Sequence, residues 1–354
     1  MELIFNADSI LERGKGLTFD DVLLIPQHSE ISSRKHPVLR SKVTKNWELE
    51  TPIVAANMDT ITEIEMAKTM AKLGGMGIIH RFMDTQTQGQ QLKDLRTFLE
   101  QEGMKSPVSA SIGVKEEGQN RADYLVDCGA DILTVDIAHG DSVMMLETLE
   151  YVKKKYPHVD VIAGNVATPS GVQRMIDCGA DAVKVGIGPG SMCTTRIITG
   201  HGVPQLTAIA LCVRAAKEHG VPVIADGGIK NSGDMVKCFA AGANSLMVGS
   251  LISGTLETPG EIKGGKKQYR GMASKAAQVS WRGDLPQGMA AEGEDTMIPC
   301  KGSVVNVIDE LTGGIRSGMT YIGAETIDIM SKKAQFIEMS TAGLLESRPH
   351  GVRI

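Results

Sequence analysis

Residues 132–164, ILTVDIAHGDSVMMLETLEYVKKKYPHVDVIAG, hold two apolar runs on either side of a helix-length segment. The runs at 132–136 and 159–164 are short and almost entirely apolar, which is typical of strands buried on both faces. Between them, residues 143–155 carry apolar side chains at helical spacing. A strand, a helix and a second strand in this order predict a βαβ unit with parallel strands.

The same unit recurs along the whole chain. Apolar runs lie at 52–56, 76–80, 107–112, 132–136, 159–164, 182–186, 221–226 and 245–249, and further segments with helical spacing lie at 64–73, 88–101 and 206–219. Eight consecutive units predict an α/β fold of the closed (β/α)₈ or TIM-barrel type. An open, doubly wound sheet is the alternative, but it usually has fewer strands.

We expect residues 1–354 to form one barrel domain with three additions. These are an N-terminal arm up to about residue 51, a mobile flap at about 255–302 that is rich in Gly, Pro and Lys, and a tail after residue 323. A long connection of the flap's kind in a compact domain is usually a lid, a binding segment or disordered.

Composition narrows the possible functions of the 354-residue chain. Hydrophobic residues make up 42% and charged residues 22%, which excludes wholesale disorder. The formal charge of −5 gives no support to a nucleic-acid binder or a polybasic membrane-surface protein. No apolar run has the length of a membrane-spanning helix, and the N-terminus lacks the order of a secretory signal. The six cysteines form no CxxC pair, so we expect reduced thiols in the cytoplasm, with no membrane or nucleic-acid partner.

Glycine and polar residues gather where the predicted strands end, at the face where barrel enzymes carry their active sites. Asp226-Gly227-Gly228 and Gly249-Ser250 close the seventh and eighth strands. Backbone N–H groups at these strand ends often hold phosphate, although two tight turns would give the same pattern. Because the Asp226 carboxylate would repel phosphate, we expect it to accept hydrogen bonds from ribose hydroxyls.

The densest segment is residues 184–196, KVGIGPGSMCTTR, in which three glycines precede Cys193. A thiol at a strand's C-terminal end, close to backbone N–H dipoles and to Arg196, is a candidate nucleophile. A small buried residue is the alternative. The loop's carbonyls are candidates for holding a monovalent cation.

Four other polar residues near predicted strand ends have two interpretations each. His80 and His139 are more often structural than catalytic in such positions. Asn57 and Asp59 either bind substrate or cap the next helix.

Residues 188–196, followed by Thr199-Gly200 and Pro204-Gln205, resemble the active-site loop of the IMP dehydrogenase/GMP reductase family. The resemblance extends over nearly the whole chain, with further family motifs at 17–24, 55–60, 164–166, 225–229, 269–272 and 291–293. It implies a (β/α)₈ barrel that assembles as a homotetramer and binds a purine nucleotide, GMP or IMP.

The resemblance also assigns roles to individual residues. Cys193 would attack C2 of the purine nucleotide to form a covalent intermediate, Glu292 would contact the purine edge, and Asp136, with Ala138 nearby, would bind the nicotinamide cofactor. The ribose phosphate would be held by Ser191, Asp226, Gly228, Gly249, Ser250, Tyr269, Gly271 and Met272. A potassium ion would be bound by carbonyls of Gly188, Gly190 and Cys193, with Glu346 and Ser347 from the tail of a neighbouring subunit.

Two reactions of the family share this intermediate. IMP dehydrogenase passes a hydride from IMP to NAD and hydrolyses the adduct to XMP. GMP reductase expels ammonia from GMP and reduces the adduct with NADPH to IMP. For the second reaction, Glu292 and the Thr195 hydroxyl would supply the proton that ammonia needs in order to leave.

Three features favour the reductase. The segment between His80 and Pro107 is too short for the pair of CBS modules that dehydrogenases usually carry. The flap has no Arg-Tyr pair to activate water, and Ala138 stands where dehydrogenases usually have serine. Two features favour a dehydrogenase without CBS modules. The tail at 336–350 and residues 60–63 both resemble the corresponding segments of dehydrogenases.

We give the flap more weight than the tail, because the flap concerns the chemical step, whereas the tail concerns cation binding and assembly. We therefore expect a GMP reductase. In the dehydrogenase alternative Arg282 would act as the base, and loss of XMP formation on its mutation would contradict the reductase. A catalytically silent nucleotide-binding regulator is a remote third possibility.

Overall fold

The computed structural model describes residues 3–284 and 287–347. Its central sheet has eight parallel strands, one in each predicted apolar run: β1 (Ile53–Ala55), β2 (Met76–Gly77), β3 (Ser109–Ile112), β4 (Ile132–Asp136), β5 (Asp160–Val166), β6 (Ala182–Val185), β7 (Val223–Asp226) and β8 (Ser245–Val248). The strand order is β2-β1-β8-β7-β6-β5-β4-β3. A parallel bridge between Ile79 and Ala110 joins the two ends of this order, so the sheet closes on itself. The predicted barrel is confirmed.

Helices follow the barrel strands along the chain. They are α1 (Ile64–Lys72), α2 (Thr85–Gln101), α3 (Lys115–Asp127), α4 (Val143–Lys155), α5 (Pro169–Asp177), α6 (Gln205–Lys217), α7 (Ser232–Ala240) and α8 (Val304–Ile322). The helix α4 shows why this sequence is helical, because Met145, Leu149 and Val152 lie three or four positions apart and are fully buried. None of the helices in the described part of the chain is long and apolar enough to cross a membrane.

Polar side chains fix where several of these helices begin. Asp84 accepts a hydrogen bond from the Thr87 backbone N–H, and Thr168 accepts one from the Gly171 N–H. These contacts satisfy backbone donors that the first turn of a helix leaves free.

The N-terminal arm and the tail, which the sequence presents as separate segments, pair with one another. The strand Phe336–Glu338 lies between Ile4–Phe5 and Val22–Leu24 in an antiparallel sheet. Glu338 also forms ion pairs with Arg13 and Lys15. The remaining elements here are the 3₁₀ helices Asp8–Glu12 and Phe19–Asp21, the strand pair Ser41–Lys42 and Glu48–Leu49, and the helices Ile327–Lys333 and Thr341–Glu346.

The flap region consists of short elements. Lys266–Arg270 and Asp295–Pro299 form a two-stranded antiparallel ribbon, and the helix Lys275–Arg282 lies between them in the chain. The Ser274 hydroxyl caps this helix at the Ala277 N–H. The ribbon therefore brings both ends of the flap back to the mouth of the barrel.

Candidate active site

A cavity of about 430 Å³ opens at the C-terminal ends of the barrel strands. The predicted site residues that line it are Asp136, Ala138, Gly188, Gly190, Ser191, Cys193, Thr195, Asp226, Gly228, Gly249, Ser250, Tyr269, Gly271, Met272 and Glu292. Glu346 and Ser347 do not line it. They lie at the end of the exposed helix Thr341–Glu346, and no hydrogen bond in the described part of the chain joins them to the Cys193 loop.

Gly186 shows why the loop that carries Cys193 needs glycine. Its φ is +151°, and a Cβ atom there would lie 2.0 Å from the carbonyl oxygen of Asp226. A side chain cannot be accommodated at that distance, so the loop after β6 lies directly against the end of β7.

Cys193, Thr195 and Glu292 form a chain of hydrogen bonds. The Cys193 thiol donates to the Thr195 hydroxyl at 3.2 Å, and this hydroxyl donates to Glu292 Oε2 at 2.8 Å. Backbone bonds hold the two segments together, since Thr194 N–H donates to the Glu292 carbonyl and Glu294 N–H to the Met192 carbonyl. A proton can therefore move between the sulfur and the carboxylate through one hydroxyl.

The other cysteines are less suited to nucleophilic chemistry. Cys128, Cys212 and Cys238 are buried, and burial raises the pKa of Cys212 to about 12. Burial, followed by the nearby Glu150 carboxylate, raises the pKa of Cys178 to about 11. Among the cysteines, Cys193 is the one that lines the cavity.

The ends of β7 and β8 offer free donors to the cavity. Gly227 and Gly228 both have positive φ, +92° and +79°, so their backbone turns back on itself. The amide N–H groups of Gly228 and Ser250 donate to no other described residue. An arrangement of unpaired N–H groups beside glycine is suited to binding phosphate.

Two hydroxyl groups add to these donors. Ser191 Oγ and Tyr269 Oη lie 2.9 Å apart at the cavity wall. Burial raises the pKa of Tyr269, so this side chain keeps its proton and remains a hydrogen-bond donor.

Lys184, to which no sequence motif assigns a role, lies between the two carboxylates of the site. It is 2% exposed in the otherwise apolar strand β6, and its Nζ lies 2.8 Å from both Asp136 and Asp226. Asn165 contacts Lys184 and also donates to Asp226 Oδ2. A lysine inside an apolar run is the sequence signal that could have identified this position.

The pKa values of these groups follow from their contacts. Burial alone would raise the pKa of Asp136, but the Lys184 charge and hydrogen bonds from Lys184 and Asn57 hold it below its usual value. Burial alone would lower the pKa of Lys184, but Asp136 and Asp226 raise it above its usual value. At neutral pH Lys184 is therefore an ammonium group and Asp136 a carboxylate.

We expect Lys184→Met to destabilise the protein by about 3 kcal/mol, because two carboxylates then lose the cation between them. Equilibrium denaturation in urea measures this loss. The matched control is Lys263→Met, since the Lys263 side chain is 75% exposed and its loss should cost less than about 0.5 kcal/mol. Equal stability of the two variants would contradict the structural role of Lys184.

The structure also shows what Asn57, Asp59 and His80 contact near the strand ends. Asn57 donates to Asp136 at 2.9 Å, and Asp59 forms an ion pair with Arg270. Neither caps α1, whose N-cap residue is Glu63. His80 is buried and contacts Glu63 at 3.0 Å, as a structural histidine does.

The chain matches the family model described as "IMP dehydrogenase / GMP reductase domain" over residues 16–350. An inosine-5′-monophosphate dehydrogenase of Cryptosporidium parvum is 41% identical over 389 residues, which cover 96% of each chain. A GMP reductase of Leishmania donovani is 34% identical over 478 residues, which cover 96% of this chain and 97% of that protein. The alignment with this GMP reductase spans 478 positions, and the alignment with the dehydrogenase spans only 389. The reductase is therefore the longer of these two relatives, so the short length of this chain, 354 residues, does not by itself separate the two activities.

A solved structure of the same family has a similar fold. The crystal structure of a GMP reductase variant from Trypanosoma brucei in complex with guanosine 5′-monophosphate has a TM-score of 0.88 and 32% identity. The match covers 98% of this chain and 100% of that one. Together with the barrel and its cavity, these matches establish that the chain is an oxidoreductase of the IMP dehydrogenase/GMP reductase family.

Proposed function

We propose that the chain is a GMP reductase, which converts GMP and NADPH to IMP, ammonia and NADP⁺ through a covalent adduct on Cys193. The observation that carries this proposal is the hydrogen-bonded chain from Cys193 through Thr195 to Glu292. It supplies both a path for the thiol proton and an acid beside the nucleophile.

The first half of the reaction uses this chain of hydrogen bonds. The Cys193 thiol passes its proton through Thr195 to Glu292, and the thiolate forms a bond to C2 of GMP while an electron pair moves to the ring nitrogen. The proton on Glu292 then returns to the amino group, and the C2–N bond breaks with its electron pair on ammonia. Cys193 remains bound to C2 as a thioimidate-type adduct.

When NADPH is bound, its reduced nicotinamide supplies a hydride to C2. The C2–S bond then breaks, with its electron pair on sulfur, and releases IMP. Asp136, which points into the cavity beside Lys184 and Asn57, is our candidate for holding the cofactor's ribose, with Ala138 next to it. Between Met272 and Glu292 the sequence has no Arg-Tyr pair, which favours reduction of the adduct over its hydrolysis.

The remaining contacts of the substrate are part of the same proposal. The phosphate would be held by Ser191, Tyr269 and the free N–H groups of Gly228 and Ser250. Gly249, Gly271 and Met272 would complete this wall, and Asp226 Oδ1 would accept from the ribose, because Lys184 and Asn165 both bind Oδ2.

Potassium, a homotetramer and a cytoplasmic location complete the proposal. Carbonyl oxygens suit a potassium ion, and the Gly190 carbonyl, which accepts one hydrogen bond from Cys193 N–H, has a second lone pair free. Glu346 and Ser347 would have to come from a neighbouring copy. The six cysteines are free thiols, as expected in a reducing compartment.

The second candidate is an IMP dehydrogenase without CBS modules. Arg282 lines the cavity and is the candidate base for activating water, in place of the Arg-Tyr pair that this sequence lacks. The similarity to the dehydrogenase of Cryptosporidium parvum favours this alternative.

Absorbance at 340 nm distinguishes the two reactions. We expect purified protein with GMP and NADPH to lose absorbance as IMP and ammonia form. A second cuvette holds IMP, NAD and potassium, and we expect no change there. A rise in the second cuvette, with XMP as the product, would contradict the reductase and favour the dehydrogenase.

A further inference from the structure

Lys301 follows the second strand of the flap ribbon, and its ammonium group binds the backbone beside the proposed phosphate site. Its Nζ atom donates to the carbonyl oxygens of Ser250 at 2.8 Å and Leu251 at 3.1 Å. Ser250 lines the cavity at the end of β8 and carries one of the free N–H groups there. Lys301 itself is not among the residues that line the cavity, so it acts on a ligand there without touching it.

The turn that Lys301 binds has its own closing hydrogen bond. The Ser253 N–H donates to the Gly249 carbonyl at 2.9 Å. In a trans peptide unit the N–H points away from the C=O. The Ser250 carbonyl shares a peptide unit with the Leu251 N–H, and this N–H donates to no other residue in the described part of the chain. An ammonium group on the carbonyl side of the turn therefore leaves its first two N–H groups free for a ligand.

Backbone contacts fix the position of the lysine along this loop. The Lys301 N–H donates to the Gly254 carbonyl at 2.9 Å, and the Leu256 N–H donates to the Gly302 carbonyl at 2.9 Å. Gly254 has a φ of +75°, and a Cβ atom there would lie 2.8 Å from the Pro299 carbonyl oxygen. The end of the ribbon therefore lies directly against the loop, and this contact sets where the lysine side chain starts.

The charge of Lys301 has no carboxylate partner within the part of the chain that the structure describes. Partial burial of its ammonium group lowers the pKa of Lys301. A second ribbon lysine, Lys267, is 2% exposed and binds three carbonyls in residues 255–258, but the Glu257 carboxylate is near enough to attract it. An ammonium group partly removed from water without a counter-charge is stabilised by an anion nearby.

We propose that Lys301 is a positioning residue for the nucleotide phosphate: it holds the turn after β8 by its carbonyls, and its positive charge attracts the phosphate across that turn. The inference rests on the proposed binding of GMP at this wall. A phosphate monoester carries nearly two negative charges at neutral pH. Its proposed ligands, which are the hydroxyls of Ser191 and Tyr269 and the N–H groups of Gly228 and Ser250, are all uncharged. Lys301 supplies the cation that this set of ligands lacks.

Titration calorimetry tests this role, with the dissociation constant of GMP measured directly and that of guanosine by competition. We expect Lys301→Met to weaken the binding of GMP about 10-fold, and Lys301→Arg, which keeps the charge, to recover most of the affinity. Guanosine has no phosphate and should bind all variants equally. Lys266→Met is the matched control, because it removes the same charge from an exposed position on the first strand of the ribbon and should change neither constant.

Steady-state kinetics separates binding from chemistry. The KM for GMP should rise in Lys301→Met while kcat stays within about 2-fold, because the lysine lies far from the sulfur and the carboxylate that act on C2. Denaturation in urea shows whether the variant is folded, and Lys301→Arg supplies the comparison if Lys301→Met is not.

Each contrary result has a definite meaning. An equal loss of affinity for GMP and guanosine, an unchanged affinity for GMP, or a fall in kcat at constant KM would overturn the role of Lys301. If the unaltered protein bound GMP without reducing it, the proposed function would fail, and the Lys301 variants would still decide the inference. If it bound neither GMP nor IMP, both would fail.

Discussion

Replacement of Cys193 by alanine is expected to abolish turnover of GMP, with a loss of at least about 10⁴-fold in kcat. The sulfur is the atom to which C2 of the purine is proposed to bond, and no other cysteine lines the cavity. The affinity for GMP should change little, because the proposed phosphate and ribose ligands remain. Steady-state kinetics measures the first quantity and calorimetric titration with GMP the second.

Cys178→Ala is the matched control, because Cys178 is also partly exposed but lies outside the cavity. Its high pKa makes it a poor nucleophile at neutral pH, and full activity is expected. Substantial turnover by Cys193→Ala would show that the reaction needs no covalent adduct on this residue.

Alkylation of the unaltered protein provides a second test of the thiol. We expect iodoacetamide to label Cys193 first, since three of the other cysteines are buried, and GMP to protect it. A Cys193 that did not react would favour a nucleotide-binding protein without catalytic activity.

The barrel was predictable because its strands are buried on both faces. That burial produces apolar runs that are visible in the sequence, and each of the eight runs contains a strand. The strand β2 is only two residues long, shorter than its run at 76–80, because after Gly77 the chain makes only the single bridge from Ile79. Apolar sequence records burial, whereas strand length depends on hydrogen bonds with a neighbour.

The candidate site was predictable to the extent that it lies at strand ends. Asp226 ends β7 and Cys193 lies in the loop after β6, so the closed barrel brings them to one face. Glu292 belongs to the flap, and only the family resemblance placed it in the site. Its contact with Thr195 depends on backbone bonds between segments about 100 positions apart, which no local pattern records.

The contacts of Lys184 were not predictable for a related reason. Whether a charged side chain in or beside a strand is neutralised depends on which groups face it across the barrel. The sequence shows that Lys184 interrupts an apolar run, but only the structure shows that Asp136 and Asp226 lie on either side of it. The pairing of the arm with the tail is likewise a contact between the two ends of the chain.

Replacement of Glu292 by glutamine is expected to lower kcat by about 10²–10⁴-fold, because an amide cannot take the thiol proton or return it to the amino group. The KM for GMP should change much less, since glutamine keeps the size and one oxygen of the side chain. The matched control is Glu294→Gln, because Glu294 is exposed, lies two residues away and does not line the cavity. A similar loss in both variants would indicate disturbance of the flap instead of loss of a proton donor.

The double variant tests whether Thr195 and Glu292 act as one chain. Thr195→Val removes the hydroxyl that joins the sulfur to the carboxylate, so it should lower kcat almost as far as Glu292→Gln does. Once one link is missing, the other has no proton to carry, and the double variant should be little slower than either single variant. If the two losses instead multiplied, the residues would contribute independently, and Glu292 would have to reach the amino group without Thr195.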